Sequence, residues 1–237
     1  MKLETLIHSI LPAQRSGGDL EAQKERPTQS IIWLHGLGAD NKNFLDLIPY
    51  LGIQSPNLTK IIFPQAPDKH VTANGHMRMP AWYDIRGWDF EANMVNADFA
   101  GMQASVSQIH ELINEERAQG VLAENIMIGG FSQGGVIGLL SSLTYPEGLA
   151  GAFGLSCYLP NLDFFQITQP LKTTEIFMAH GQYDTVVPYF VGKSAKKQLS
   201  FNWGANVEWH SYAIEHTINL EESKALGHWI NTQYDKK

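Results

Sequence analysis

Apolar residues along this chain fall in short dense runs, separated by longer segments in which they recur every three or four positions. Residues 30–34, 60–63, 126–129, 151–156, 176–179 and 207–212 read as strands. Most are nearly continuous hydrophobic runs, as expected of strands covered on both faces in a parallel sheet. Between them the period lengthens to that of a helix. Residues 97–119 are the clearest case, with Phe99, Met102, Val106, Ile109 and Ile113 on one stripe and Gly120 as a stop signal. Residues 41–51, 134–143, 189–200 and 220–233 read as further helices. Strand–helix alternation of this kind predicts a doubly wound α/β architecture, a mostly parallel central sheet with helices on both faces. Two stretches carry neither period. One is the polar segment 14–29, expected as a hairpin or exposed loop after a first edge strand; the other is 66–96.

Composition narrows the picture. A chain of 237 residues suits one large domain, here 1–237, better than two. Only 17% of residues are charged, below the roughly 25% usual for soluble domains, so disorder and coiled coil are poor fits. The formal net charge of −7 has the wrong sign for tracking nucleic-acid phosphates. Cys157 is the single cysteine and permits no intrachain disulfide. The apolar patch 6–11 is broken by His8 and Ser9 and follows Glu4, which does not make a signal peptide. Residues 125–146 carry no charge over about the length of a membrane span. Gly129, Gly130, Gly134 and Gly135 divide that stretch into strand, turn and helix, so no transmembrane segment is expected and the cytoplasm is the expected compartment.

Candidate chemistry begins inside that uncharged stretch. Gly130-Phe131-Ser132-Gln133-Gly134 is a G-x-S-x-G sequence between a strand and a helix. So sharp a reversal holds the serine in a strained conformation, tolerated when its flanking residues are glycines, and presents the hydroxyl at a helix N-terminus. The plain structural alternative is a glycine-rich turn with a capping serine. A serine hydroxyl needs a base to take its proton, and the base needs a carboxylate to fix its tautomer. In this type of fold the order along the chain is serine, acid, histidine. Asp184 follows the strand 176–179 and lies at its carboxyl end, whereas its rival Asp163 follows no plain strand. Of the later histidines, His210 falls in a strand and His228 in a helix, leaving His216 in the loop between them. Two backbone N–H groups should stabilise the oxyanion, one from Gln133 and the other from Leu37 in the glycine-rich exit of the first parallel strand.

These residues lie within seven blocks: LHGLGAD (34–40), FPQAP (63–67), MPAWYDI (79–85), GGFSQGG (129–135), LSCYLP (155–160), HGQYDTVVP (180–188) and EHTI (215–218). In that order they resemble the acyl-protein thioesterase and carboxylesterase branch of the α/β-hydrolases, the phospholipase/carboxylesterase family. The resemblance implies an α/β-hydrolase fold without a large cap domain. It implies Ser132, Asp184 and His216 as triad and the Leu37 and Gln133 amides as oxyanion hole. The implied substrates are carboxylic esters, acyl-thioesters or lysophospholipids, cleaved with no metal and no cofactor. Relatives point to a homodimer, and transient contact with a membrane surface fits acylated-protein substrates. Thr217 stands where the family usually has serine, and 14–29 looks longer than the usual first hairpin.

The aromatic stretch 66–96, with Met77, Met79, Trp82, Tyr83, Trp88 and Phe90, is expected to form a wall or lid beside Ser132, since long irregular loops are often functional. Trp82 is the residue expected to face the acyl chain, with Val187 as a second candidate. Three readings compete with the serine hydrolase. One takes Cys157 as nucleophile, although it lacks flanking glycines. The second is a metallohydrolase, for which no H-E-x-x-H spacing is present. The third is a catalytically inactive α/β-hydrolase serving as a binding module.

Overall fold

The computed structural model describes residues 2–11, 28–54, 58–87, 98–168 and 174–236. In chain order the strands are β1 (Thr5–Ile10), β2 (Gln29–Leu34), β3 (Thr59–Pro64), β4 (Asp68–Val71), β5 (Met77–Pro80), β6 (Ile126–Phe131), β7 (Gly151–Leu155), β8 (Glu175–Gly181) and β9 (Asn206–Tyr212). The α-helices are α1 (Ile48–Leu51), α2 (Phe99–Ala118), α3 (Gln133–Thr144), α4 (Tyr189–Lys197) and α5 (Leu220–Asp235). Seven strands form one sheet in the order β1-β3-β2-β6-β7-β8-β9. β1 is the antiparallel edge strand and every other pairing is parallel. β4 and β5 form a separate antiparallel hairpin.

Side-chain alternation explains why the central strands read as unbroken apolar runs. Ile32, Leu34 and Ile128 point to one face and pack with Val106, Ile109 and Ile113 of α2 and Val136 and Leu140 of α3. Their neighbours Ile31, Trp33, Met127 and Phe153 point to the other, against Ile48 and Leu51 of α1 and Leu226, Trp229 and Ile230 of α5. Both faces are covered, so neither set of positions can be polar. The chain runs outward from β2 to β3 and then returns to β6 on the other side of β2. This reversal places a switch point at the carboxyl ends of β2 and β6, where open α/β sheets bind ligands.

One predicted helix differs. Residues 41–51 form turns followed by a 3-10 turn, Leu45–Leu47, and the four-residue α1. Asp40 competes locally, its side chain accepting from the Lys42 N–H at 2.8 Å. Pro49 also has no N–H to continue a helix through Leu45. The helix expected over 189–200 is α4 followed by a π turn, Gln198–Asn202. Most of the polar stretch 14–29, together with Trp88, Phe90 and the rest of 88–97, lies outside the described residues. The described part of 66–96 is the β4–β5 hairpin with a 3-10 turn, Thr72–Asn74, without a long helix.

One buried carboxyl gives a stability prediction. Glu222, in the first turn of α5, is fully buried, and neither side-chain oxygen is hydrogen-bonded. Burial pushes its carboxyl up to about 8, the nearby Asn219 amide offsetting only part of the shift. The folded state therefore binds a proton that the unfolded chain releases between the ordinary Glu range and pH 8, and stability declines as pH rises through that window. Glu222→Gln is expected to raise the melting temperature clearly at pH 8 and hardly at pH 4.5. An equal shift at both pH values would show that ionisation of Glu222 carries no cost.

Candidate active site

The turn between β6 and α3 places Ser132 at φ 54°, ψ −123°, a conformation that L-residues rarely adopt. Two glycines make the turn possible. A Cβ on Gly130 would lie 2.5 Å from the Leu34 carbonyl oxygen, and one on Gly134 would lie 2.4 Å from that of His35. Ser132 occupies the N-cap position of α3, yet its hydroxyl does not cap the helix. It lies 3.0 Å from His216 Nε2 instead. The capping-serine alternative therefore does not describe this residue.

His216 sits on the loop between β9 and α5, and Asp184 on the loop after β8. The two loops are laced together by Gln182 N–H to the Tyr212 carbonyl (2.8 Å) and Tyr183 N–H to the Ile214 carbonyl (3.0 Å). Asp184 Oδ2 accepts from His216 Nδ1 at 2.7 Å, which leaves Nε2 free to accept the Ser132 proton. Oδ1 of the same carboxylate accepts from the Val186 and Val187 amides at 2.9 and 2.8 Å. Burial by itself would raise the Asp184 carboxyl. Hydrogen bonds from His180, His216 and the Val187 amide outweigh it and hold the group well below the usual carboxylate range.

Gln133 is the first residue of α3, so its N–H has no partner inside the helix. Leu37 and Gln133 both border a cavity of about 260 Å³ beside Ser132. Tyr83, Ile85, Tyr158 and Val187 give that cavity apolar walls. The expectation for Trp82 needs correction, because Trp82 is fully buried and does not border the cavity. Its indole N–H donates to the His35 carbonyl. The aromatic stretch contributes Tyr83 and Ile85 in its place, while Met77 is exposed at the hairpin turn. A second cavity of about 280 Å³, on the other side of Phe131 and His216, is bordered by Asp46, Leu47, Thr217 and Ile218.

The competing groups lie elsewhere. Cys157 is fully buried, and burial pushes its thiol up to about 12, which suits packing rather than nucleophilic attack. Asp163 is exposed on the 3-10 turn Leu162–Phe164. His210 pairs with Glu208, and His228 is exposed on α5. Among the described residues no group of three His, Cys, Asp or Glu side chains could hold a metal ion. Sequence reasoning missed His180. This fully buried ring donates from Nε2 to the Val187 carbonyl at 2.8 Å, with Asp184 Oδ2 at 3.4 Å. Its signal was its place four residues before Asp184 at the same strand end.

A mostly parallel sheet, a strand–serine–helix turn at its switch point and an Asp–His–Ser relay from the ends of β8, β9 and β6 define an α/β-hydrolase of the serine type. The family model described as Phospholipase/Carboxylesterase matches residues 18–234. An acyl-protein thioesterase 1 from Neurospora crassa is 38% identical over 219 residues, covering 89% of each chain. Among solved structures, Arabidopsis thaliana SOBER1 superposes with a TM-score of 0.78 at 30% identity, covering 87% of this chain and 99% of that one. Zea mays acyl-protein thioesterase 2 gives 0.76 at 27% identity, covering 96% and 98%. The chain belongs to the phospholipase/carboxylesterase family, and it is a serine hydrolase of esters or thioesters.

Proposed function

We propose that Ser132, His216 and Asp184 hydrolyse acyl esters and thioesters, with medium or long acyl chains delivered on proteins or lysophospholipids. The observation that carries this reading is the continuous relay Asp184–His216–Ser132, with contacts of 2.7 and 3.0 Å, opening on an apolar cavity. Ser132 Oγ attacks the carbonyl carbon as its proton passes to His216 Nε2. The oxyanion forms between the amides of Leu37 and Gln133. Collapse breaks the bond to the alcohol or thiol, which leaves with the proton from His216, and water then repeats the sequence on the acyl-enzyme. The acyl chain lies in the cavity beside Leu37, Tyr83, Ile85 and Val187, and the leaving group departs through the one beside Thr217.

No helix among the described residues is long and apolar enough to cross a membrane. A cytoplasmic location fits the single buried thiol, and the chain is taken to work as one domain. A homodimer rests on family resemblance and is tested by sedimentation.

The functional test is turnover of p-nitrophenyl esters from C2 to C12 beside a palmitoyl-thioester peptide and a lysophospholipid. Each methylene buried in the cavity is expected to raise kcat/KM up to about fourfold, equivalent to about 0.8 kcal/mol, until the chain outgrows it. No turnover of any of these substrates would overturn the reading in favour of a binding module. On the best substrate, kcat/KM is expected to fall toward acid pH, because the reaction needs a base free to accept the Ser132 proton while Asp184 stays ionised. A flat profile over about pH 5–8 would remove His216 from the mechanism.

A further inference from the structure

The two oxyanion amides belong to segments remote in sequence, the exit of β2 and the start of α3, and their separation must hold to a fraction of an ångström for both to meet one oxygen. Resting on the reading of Ser132 as nucleophile, we infer that Trp82 and the side chain of Gln133 are positioning residues that brace the oxyanion hole.

The brace is the segment from Pro80 to Tyr83, bonded to both arms. Toward the Leu37 arm, the Pro80 carbonyl accepts from the Gly38 N–H at 2.9 Å, and the Trp82 indole N–H donates to the His35 carbonyl at 2.8 Å. Toward the other arm, the Trp82 N–H donates to Gln133 Oε1 at 2.8 Å, and Gln133 Nε2 donates to the Tyr83 carbonyl at 2.9 Å. Gln133 thus grips the brace with its side chain while it borders the cavity beside Ser132 as the first residue of α3. The opposite side of Trp82 is anchored as well. Its carbonyl accepts from Ser105 Oγ of α2 and from Lys69 Nζ of β4. All three polar groups of Trp82 are engaged, and the residue is fully buried.

His35 completes the Leu37 arm. Its Nε2 accepts from the Ala66 N–H at 3.0 Å, which fixes the ring proton on Nδ1 facing the Gly36 carbonyl at 2.8 Å. Burial lowers its pKa, so the ring is neutral. The chemistry explains a glutamine at 133. The brace offers one N–H and one carbonyl side by side, and a primary amide answers both. A carboxylate lacks the donor, and an apolar side chain would leave two buried groups without partners.

A residue that only fills the core should act on stability alone. One that sets the separation of two transition-state donors should act on kcat. Trp82→Phe keeps the aromatic bulk and removes the bond to His35. Gln133→Glu keeps the acceptor and removes the donor to Tyr83. Both are compared with Tyr145→Phe, which removes a part-buried hydroxyl bond to Asn114 Oδ1 (2.7 Å) far from the brace.

The readouts are kcat and KM on a p-nitrophenyl ester, the melting temperature, and the inhibition constant of butylboronic acid, whose tetrahedral adduct places an oxygen between the two amides. Trp82→Phe and Gln133→Glu are expected to lower kcat by roughly tenfold or more with KM within about twofold, and to weaken the boronate by the same factor as kcat/KM. Tyr145→Phe is expected to lose stability only. Should Trp82→Phe fail to fold, Gln133→Glu is judged on the same readouts. The inference is overturned if the brace variants lose stability as Tyr145→Phe does while kcat and boronate affinity stay at the wild-type level. Failure of the underlying reading looks different, because wild type would then turn over no ester and bind no boronate.

Discussion

Asp184→Asn is expected to lower kcat by about 10³- to 10⁴-fold with little change in KM. The asparagine oxygen can still accept from the Val186 and Val187 amides, so the loop keeps its shape. Its NH₂ group, however, would face the His216 Nδ1–H that Asp184 Oδ2 now accepts. Two donors repel, the ring shifts to the other tautomer, and Nε2 then carries a proton where it should accept one. A stability change should accompany this loss with a definite pH dependence. The Asp184 pKa is depressed in the folded state, so its contribution is present above the unfolded value of about 4 and is lost as pH falls through the folded one. The gap in melting temperature between wild type and variant should accordingly be open at pH 7 and close below about pH 4. Asp163→Asn, on an exposed turn, should change neither activity nor stability. Should Asp163→Asn be inactive and Asp184→Asn keep kcat within tenfold of wild type, the acid is misassigned.

Ser132→Ala is expected to reduce kcat by about 10⁵-fold or more, since it removes the hydroxyl that stands 3.0 Å from His216 Nε2. A second substitution at the same site measures the strain of the turn. Ser132→Gly is equally inactive but has no Cβ to disfavour φ 54°, ψ −123°. It should be more stable than Ser132→Ala by about 1–2 kcal/mol in denaturant titrations. At a position with ordinary negative φ inside a strand or helix the order would be reversed, because glycine there carries the larger entropic cost. Equal stability of the two variants would mean that the serine sits in the turn without strain.

Some of this site was legible in the sequence because the fold writes it at strand ends. Ser132, Asp184 and His216 each follow a recognisable apolar run, and their order along the chain matches the order in which the sheet delivers them. The apolar runs were legible for a related reason, since strands buried on both faces leave no room for polar positions. What escaped depends on contacts between segments far apart. Trp82 read as a wall of the acyl groove because an aromatic in an irregular stretch gives no direction. Its true direction is set by the His35 carbonyl and the Gln133 side chain, neither of them near it in sequence. His180 looked like the opening residue of a motif, and only the folded loop turns its ring onto the Val187 carbonyl and Asp184. The helix expected over 41–51 failed for a local reason that was visible. Asp40 and Pro49 each break the ladder, yet the apolar spacing outweighed them in the reading.

Covalent labelling tests whether Ser132 is the nucleophile. Wild-type protein treated with a fluorophosphonate, digested and analysed by mass spectrometry should carry one adduct, on the peptide containing Ser132. A chelator should not change the labelling, and Ser132→Ala should abolish it while its melting curve remains cooperative. An adduct on any other residue, or labelling that persists in a folded Ser132→Ala protein, would contradict the account.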